Sequence, residues 1–392
     1  MLVRKITNNN NKIILKNKEV FDIAIIGAGA AGLQLLYELT QSPTDHHLKI
    51  LLIDSGDRSE KSWCFWQNNP PIYSQLIEKK WNHLAFVGAD GTEIKSCVEP
   101  IHYHYISSEK FYSFFFSEYI PKNPGIEVVA GMAKNVAKGD EYFTISLESG
   151  ETYRSKKVAD SRFNQEDWQK SGGLYQHFYG KFIRTDTPTF DENKATLMDF
   201  SLMQKHEHFT CFHYILPFSK THALVETTVF STKQYEKVYY QELWEEFWKT
   251  QLGAIPYALE KEEMGSIPMS DYAFPLESDG ILKIGTAAGQ VKASTGYAFT
   301  RMHQDAKNIV SQVNRKRPGR FRFYDRLLLS IIKTDTKQVP EVMKRLFHSV
   351  PIPQILMFLD EKSTLIQEIQ IFCRLPIRLF LTHLWKSFTR SR

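Results

Sequence analysis

Only four cysteines stand in the 392 residues, Cys64, Cys97, Cys211 and Cys373, and they are scattered. No Cys-x-x-Cys pair or Cys/His cluster occurs, which removes a zinc site and a disulfide framework from the candidates. The 13 histidines form no His-x-x-x-His or His-Glu-x-x-His set, so no metal site is expected. No uninterrupted apolar run is long enough to span a bilayer. The N-terminal stretch MLVRKITNNNNKIILKNKEV has neither the apolar run nor the small-residue cleavage site of a secretory signal. Strong charge of one sign is lacking too. A net charge of +5 is too mild for a nucleic-acid partner and suits an anionic cofactor or an anionic membrane surface. There is no internal repeat and no low-complexity segment beyond Asn8–Asn11. A globular protein of a reduced, intracellular compartment is expected.

What is present is core-forming. The length suggests two intimately packed domains, and 42% hydrophobic with 24% charged residues is enough to bury a sizeable core. Aromatics reach 13%, which fits either an aromatic-rich core or a long apolar cavity. Residues 1–20 read as a flexible leader. Residues 21–56 read as strand, turn, helix and strand, and Trp81–Ile94 as a hairpin turning at GADG. Ser107–Ile120 reads as a capped helix and Lys233–Leu252 as an amphipathic one. After Pro318 the chain is helical and basic.

FDIAIIGAGAAGLQLLYEL carries Gly27-x-Gly29-x-x-Gly32 after an apolar strand and before an apolar-periodic helix. The first glycine permits the tight turn, the second lets the backbone approach a pyrophosphate, and the third lets the helix pack on the strand. LKILLID then ends in Asp54, at the spacing of a ribose-hydroxyl partner. These residues leave FAD and NAD open. A second strand, glycine turn and helix, DGILKIGTAAGQVKASTGYAFTRMHQDA, favours flavin. Enzymes of the glutathione-reductase type close the flavin site with such an element, although Gly285-Thr286 replaces their Gly-Asp. Gly289 ends the turn. The fold expected is α/β. It has a discontinuous Rossmann-type FAD-binding domain (21–100 and 270–310), an inserted β-rich substrate part within 101–269, and a helical C-terminal region at 311–392.

ILPFSKTHALVETTVF, Ile215 to Phe230, reads as two strands around a turn. Its one carboxylate, Glu226, is unusual among Val, Thr and Phe. It lies either on a solvated face or in a buried site where it acts. Asp199, in LMDF, is a second acidic candidate, for a proton route or a turn cap. Glu262 and Glu263 fall in a charged run and read as solvated. HYHY places His102 and His104 on one strand face as a surface pair.

These segments in this order resemble the bacterial lycopene cyclases of carotenoid synthesis. The resemblance runs from about Phe21 to about Leu381 and includes DSGDRSEKSWCFW, LMDF, the Glu226 strand, EEMGSIPM and AAGQVKASTGYAFTRM. Ser294–Tyr297 and the Leu-x-Glu-Thr-like strand are its most specific parts. VADSRF (Val158–Phe163) departs from the glycine-containing return to the FAD domain that such flavoproteins use.

The resemblance implies an isomerase of the intramolecular-lyase type. It would close the ψ ends of lycopene or a related linear carotenoid into β rings without net electron transfer, using reduced FAD with NAD(P)H as reductant. It implies Glu226 as the acid, with Asp199 at a matching acidic position. Trp63, Phe65, Trp66, Ile267, Met269, Thr295 and Tyr297 are expected to line the substrate. Such a substrate comes from a membrane, so the expected location is cytoplasmic and peripheral on the inner membrane face. The basic, apolar tail IFCRLPIRLFLTHLWKSFTRSR would make the contact, or else pack on the protein's own core. Two alternatives share the dinucleotide fingerprint: an FAD-dependent monooxygenase, and a non-catalytic pigment-binding relative.

Overall fold

The computed structural model describes residues 14–41, 48–68, 70–203, 209–316 and 318–389. The first sheet runs in the order Glu277–Ser278, Ile281–Lys283, Glu151–Asp160, Ile14–Ile26, Ile50–Asp54, Ile126–Ala130. Its four central pairings are parallel. The strand Ile50–Asp54 is buried along its whole length, as expected for a parallel strand covered on both faces. Helix Ala30–Gln41 connects the first strand to Ile50–Asp54 and buries Leu33, Leu35 and Leu36. Phe299 and Ala306 of helix Phe299–Val310 belong to the same apolar cluster. This is the Rossmann-type arrangement that the glycine fingerprint predicts.

The second sheet has seven strands, in the order Tyr257–Met269, Leu174–Thr185, His222–Ser231, Thr210–Pro217, Lys194–Asp199, His83–Val87, Glu93–Cys97. Helix Lys237–Gln251 covers its outer face. There the Trp244 indole donates to the Val225 carbonyl at 2.9 Å, and the His213 ring stacks on Phe247 with centroids 3.8 Å apart. A three-stranded sheet, Ser62–Asn68, Ile101–Ser107 and Lys79–Trp81, sits beside the cavity described below. Five helices from Gly319 to Thr389 close the C-terminal side.

Three sequence expectations are corrected. The first strand begins at Ile14, so residues 14–20 are not leader. Their backbone pairs with Glu151, Thr152 and Arg154, which polar composition does not prevent; residues 1–13 lie outside the described residues. The sheets also divide the chain differently from the expected bounds. Strand Ile126–Ala130 and the antiparallel extension through Ala133–Lys138 and Phe143–Leu147 belong to the first sheet, whereas His83–Cys97 belongs to the second. Finally, His104 is buried rather than a surface residue, and burial pushes its pKa down to about 4. Among the described residues no group of His, Cys, Asp or Glu could hold a metal ion.

Candidate active site

A cavity of about 500 Å³ opens between the first turn of the Rossmann unit and the inner face of the seven-stranded sheet. Gly29, Gly32, Ser161 and Gly285 line one end, and Phe178, Glu226, Glu263 and Ile267 the other. Gly27 makes the tight turn at φ 97°, its N–H donating to the Ile53 carbonyl at 2.9 Å. A Cβ added to Gly29 would meet nothing within 4 Å, so this backbone is open to the close approach of a phosphate. VADSRF does return to this sheet. Ser161, within this segment that departs from the glycine-containing pattern, donates to the Ile26 carbonyl from its N–H at 3.0 Å and from its hydroxyl at 2.8 Å. The residues present therefore fit an anionic dinucleotide. Asp54 ends its strand as predicted, but Arg58 Nη1 donates to its Oδ1 at 3.0 Å and Nη2 to the other oxygen. Gly285 lines the cavity, whereas Gly289 ends the turn at φ 67° and packs on Phe274.

At the other end, strand register builds the acidic centre. Gly180 pairs with Glu226 on one neighbouring strand and with Glu263 on the other. Paired residues share a face, so both carboxylates rise on the cavity side of a strand that has no side chain between them. A Cβ added to Gly180 would lie 3.3 Å from Glu263 Cγ and 3.5 Å from Glu226 Cβ. The two carboxyls are within hydrogen-bonding reach of each other. Each is also held by a hydroxyl: Thr228 Oγ1 donates to Glu226 Oε1 at 2.9 Å, and Ser62 Oγ to Glu263 Oε2 at 2.7 Å. Burial pushes both acids above the ordinary carboxylate range. Glu226, which also faces the charge of Glu263, is raised far, and Glu263 rises to about 7.

The expected solvation of Glu263 is thus overturned, while Glu262 does face outward. Glu262 accepts from Lys237 Nζ at 2.6 Å and from the Tyr179 hydroxyl. The strand Tyr257–Met269 alternates faces, and Glu263 shares its side with Gly265, Ile267 and Met269. Reading the run with a period of two would have found it. Ser62, Tyr103 and Tyr214 at the cavity, and Gly180 between the two glutamates, were also missed, because only strand pairing brings them to the site.

Asp199 lies elsewhere. It pairs with His213, which pairs with Thr227, so it faces the helix side of the sheet, opposite to Glu226. There its Oδ1 accepts from the Ser201 N–H at 2.9 Å, which is the turn-cap reading. Of the expected lining residues, Trp63, Ile267, Thr295 and Tyr297 line the cavity. Trp66 lines a smaller apolar cavity of about 90 Å³ against the C-terminal helices, which Thr295 and Tyr297 share. Phe65 and Met269 line neither. They are 2% and 0% exposed: Phe65 is stacked on Phe299, and Met269, on the same side as Glu263 but at the end of its strand, is paired with Leu174 and packed in the core.

The family model for lycopene cyclase protein matches residues 22–384. A chloroplastic lycopene beta cyclase of Arabidopsis thaliana is 24% identical over 322 residues, 76% of this chain and 61% of that protein. The chain thus spans about three-fifths of that relative's length. Among solved structures, a geranylgeranyl bacteriochlorophyll reductase-like protein from Thermoplasma acidophilum superposes with a TM-score of 0.62 at 13% identity, covering 92% of this chain and 98% of that one. HpxO of Klebsiella pneumoniae, solved with FAD, superposes at 0.55 with 10% identity over 91% of this chain and 100% of its own. These likenesses establish a flavoprotein fold, and the family match over nearly the whole described length means that this chain belongs to the lycopene cyclase family.

Proposed function

We propose that the protein is a lycopene β-cyclase. It closes the ψ ends of lycopene to β-ionone rings, giving γ-carotene and then β-carotene, with no net redox change. The observation that carries this reading is Glu226, a carboxyl buried on an apolar strand in a cavity continuous with a dinucleotide cradle, where burial pushes its pKa upward. Ring closure needs a proton placed on the terminal double bond, a cation kept from water, and a proton removed from the ring. A desolvated carboxylic acid supplies the first at neutral pH. Trp63, Tyr103 and Tyr297 line the same space and favour a cation over their ring faces while excluding water. Gly29, Gly32 and Gly285 would hold FAD, which in its reduced form, with NAD(P)H as reductant, would supply negative charge to stabilise the cation.

The substrate must leave a membrane, and the C-terminal helices suit that contact. Ile366, Ile369 and Trp385 are 70%, 62% and 74% exposed, with Arg374 and Arg378 exposed beside them. The same region turns Ile371 and Leu375 inward to line the smaller apolar cavity, which is the core-packing reading of the tail for its inner face. We place this outward face on the lipid surface, apolar residues in the interface and arginines on phosphates. Among the described residues no helix is long and apolar enough to cross a membrane.

The test is pigment analysis by HPLC after expression in a lycopene-accumulating bacterial host. Wild type should yield cyclic carotenes, and Glu226→Gln, whose amide cannot donate the proton, should yield none while still binding FAD. Unchanged lycopene beside flavin-loaded wild type, with oxygen consumed in step with NAD(P)H, would replace the cyclase by a monooxygenase.

A further inference from the structure

Two carboxyls converge over Gly180, and the proposed reaction needs two proton steps on one ring. The first proton goes to the terminal alkene carbon. A carbon–carbon bond then closes the ring, and a ring carbon that shares a neighbour with the protonated one gives up its hydrogen to form the β double bond. Donor and acceptor must therefore stand side by side in a dry site. Resting on the cyclase reading, we propose that Glu263 is the acceptor of the ring proton, and that Glu226 and Glu263 form a pair that recycles one proton between them.

The geometry carries this. Ser62 occupies Glu263 Oε2, whereas Glu263 Oε1 is buried with no donor among the described residues other than the facing Glu226 carboxyl. Two carboxylates in such contact repel unless one holds a proton, so the resting pair carries a shared one. Both acids line the cavity, and among the described residues neither is ion-paired with a lysine or arginine that would hold it as a fixed carboxylate, Lys261 acting on Glu263 only through its charge. The pair also lies in a purely main-chain frame: three strands in fixed register, with glycine at the centre strand. Glu226 gives its proton to the alkene and becomes a carboxylate. Glu263, a carboxylate throughout that step, takes the proton released from the ring carbon. Its transfer across the carboxyl–carboxyl hydrogen bond restores Glu226. One C–H bond forms and one breaks, no electron is gained or lost, and no water enters. The acceptor also fixes the product, because the carbon that faces Glu263 decides where the new double bond lies.

The test compares purified, flavin-loaded wild type, Glu263→Gln and Glu263→Asp for turnover, product ring type and carboxyl infrared absorption. Glu263→Gln should lower cyclisation by about 10²-fold or more with FAD content unchanged. Glu263→Asp, which withdraws the carboxylate by one methylene, should recover part of the rate and shift the ratio of ring isomers. The protonated-carboxyl band of the pair should change in both Gln variants, Glu226→Gln and Glu263→Gln, with or without activity. A Glu263→Gln protein that cyclises at the wild-type rate to the same ring overturns the acceptor role and leaves the cyclase reading standing. A wild type that cyclises nothing overturns both.

Discussion

The hydroxyls of Tyr103 and Tyr297 lie 2.9 Å apart at the boundary between the two cavities. Tyr297 lines both, as does Tyr214, whose hydroxyl is within hydrogen-bonding reach of Tyr297. Trp66 packs edge-on against Tyr297 with centroids 4.5 Å apart. These rings part the acidic cavity from the apolar one under the C-terminal helices. A long polyene reaching both must pass them. Tyr297→Phe removes one buried hydrogen-bonding group and should cost about 1 kcal/mol, with cyclisation retained. Tyr297→Ala joins the cavities, should cost about 3–5 kcal/mol, and lets water reach the cation. Urea midpoints and product analysis, with hydroxylated products as the sign of water capture, check both.

Gly32 tests the dinucleotide cradle. A Cβ there would stand 2.0 Å from the Gly27 carbonyl oxygen and 3.2 Å from Ile25 Cγ2. The helix would have to move away from the strand, and the turn that opens at Gly29 would move with it. Gly32→Ala should lose flavin and destabilise the protein by several kcal/mol, beyond the usual cost of a surface change. The flavin-to-protein absorbance ratio and the melting temperature measure it. Gly29→Ala, where a Cβ meets open space, should lose flavin while keeping most of the stability.

The contrast between Gly32 and Glu263 shows what the sequence makes legible. The Rossmann unit is local. Strand, glycine turn, helix and second strand lie within 21–56, so spacing alone places Gly27, Gly29, Gly32 and Asp54. Glu226 stood out because a lone carboxylate breaks an apolar strand. Glu263 did not, because its neighbours Glu260, Lys261 and Glu262 are charged and mask the alternation that turns every second residue inward. Gly180 carried a signal, a glycine within a strand, which marks close approach. What approaches it is set by pairing with strands on either side of it, and a single sequence does not state that register. Phe65 and Met269 failed for a related reason, since a single sequence does not state which part of a strand meets the cavity and which meets the core.

The acidic pair makes stability depend on pH with a definite sign. Glu263 is raised from its ordinary 4.5 to about 7, chiefly by burial, with Glu60 acting in the same direction and Ser62 and Lys261 against it. Glu226 is shifted in the same sense, chiefly by burial and then by the charge of Glu263. Below about 4.5 both states hold the proton and burial carries no ionic penalty. Between 4.5 and 7 the unfolded chain releases protons that the folded chain keeps, so stability falls as pH rises. Glu263→Gln removes that penalty. Thermal midpoints of variant and wild type should nearly coincide at pH 5 and separate by pH 8, with the variant higher. A wild type whose midpoint rises from pH 5 to 8 relative to the variant would contradict the raised pKa.

Asp199 separates a turn cap from an acid. Its Oδ1 accepts from the Ser201 N–H on the helix side of the sheet. Asparagine keeps an acceptor oxygen, so Asp199→Asn should retain turnover within about twofold. Asp199→Ala should cost about 1 kcal/mol of stability through loss of the side-chain-to-backbone bond, again with turnover retained. A loss of cyclisation in Asp199→Asn at unchanged flavin content would return this residue to the proton route.

The outward face of the C-terminal helices gives a prediction independent of the chemistry. Ile366 and Ile369 lie on helix Leu365–Phe372, whose N-terminus is closed by a Thr364–Gln367 capping box. The inward Glu368 of that helix accepts from Arg320 Nε at 3.1 Å and from the Tyr324 hydroxyl at 2.9 Å. These anchors hold the helix whether or not its outer face is apolar. Replacing Ile366, Ile369 and Trp385 together by serine should therefore leave the fold and flavin intact. It removes the three most exposed of the large apolar side chains there, at about 1.5–3 kcal/mol per side chain buried in an interface. Pelleting with vesicles of mixed neutral and anionic lipid should fall by at least about tenfold, and high salt should weaken wild-type binding through Arg374 and Arg378. Equal pelleting of the triple variant and the wild type would remove this face from the membrane and leave the route of the polyene to be sought elsewhere on the cavity wall.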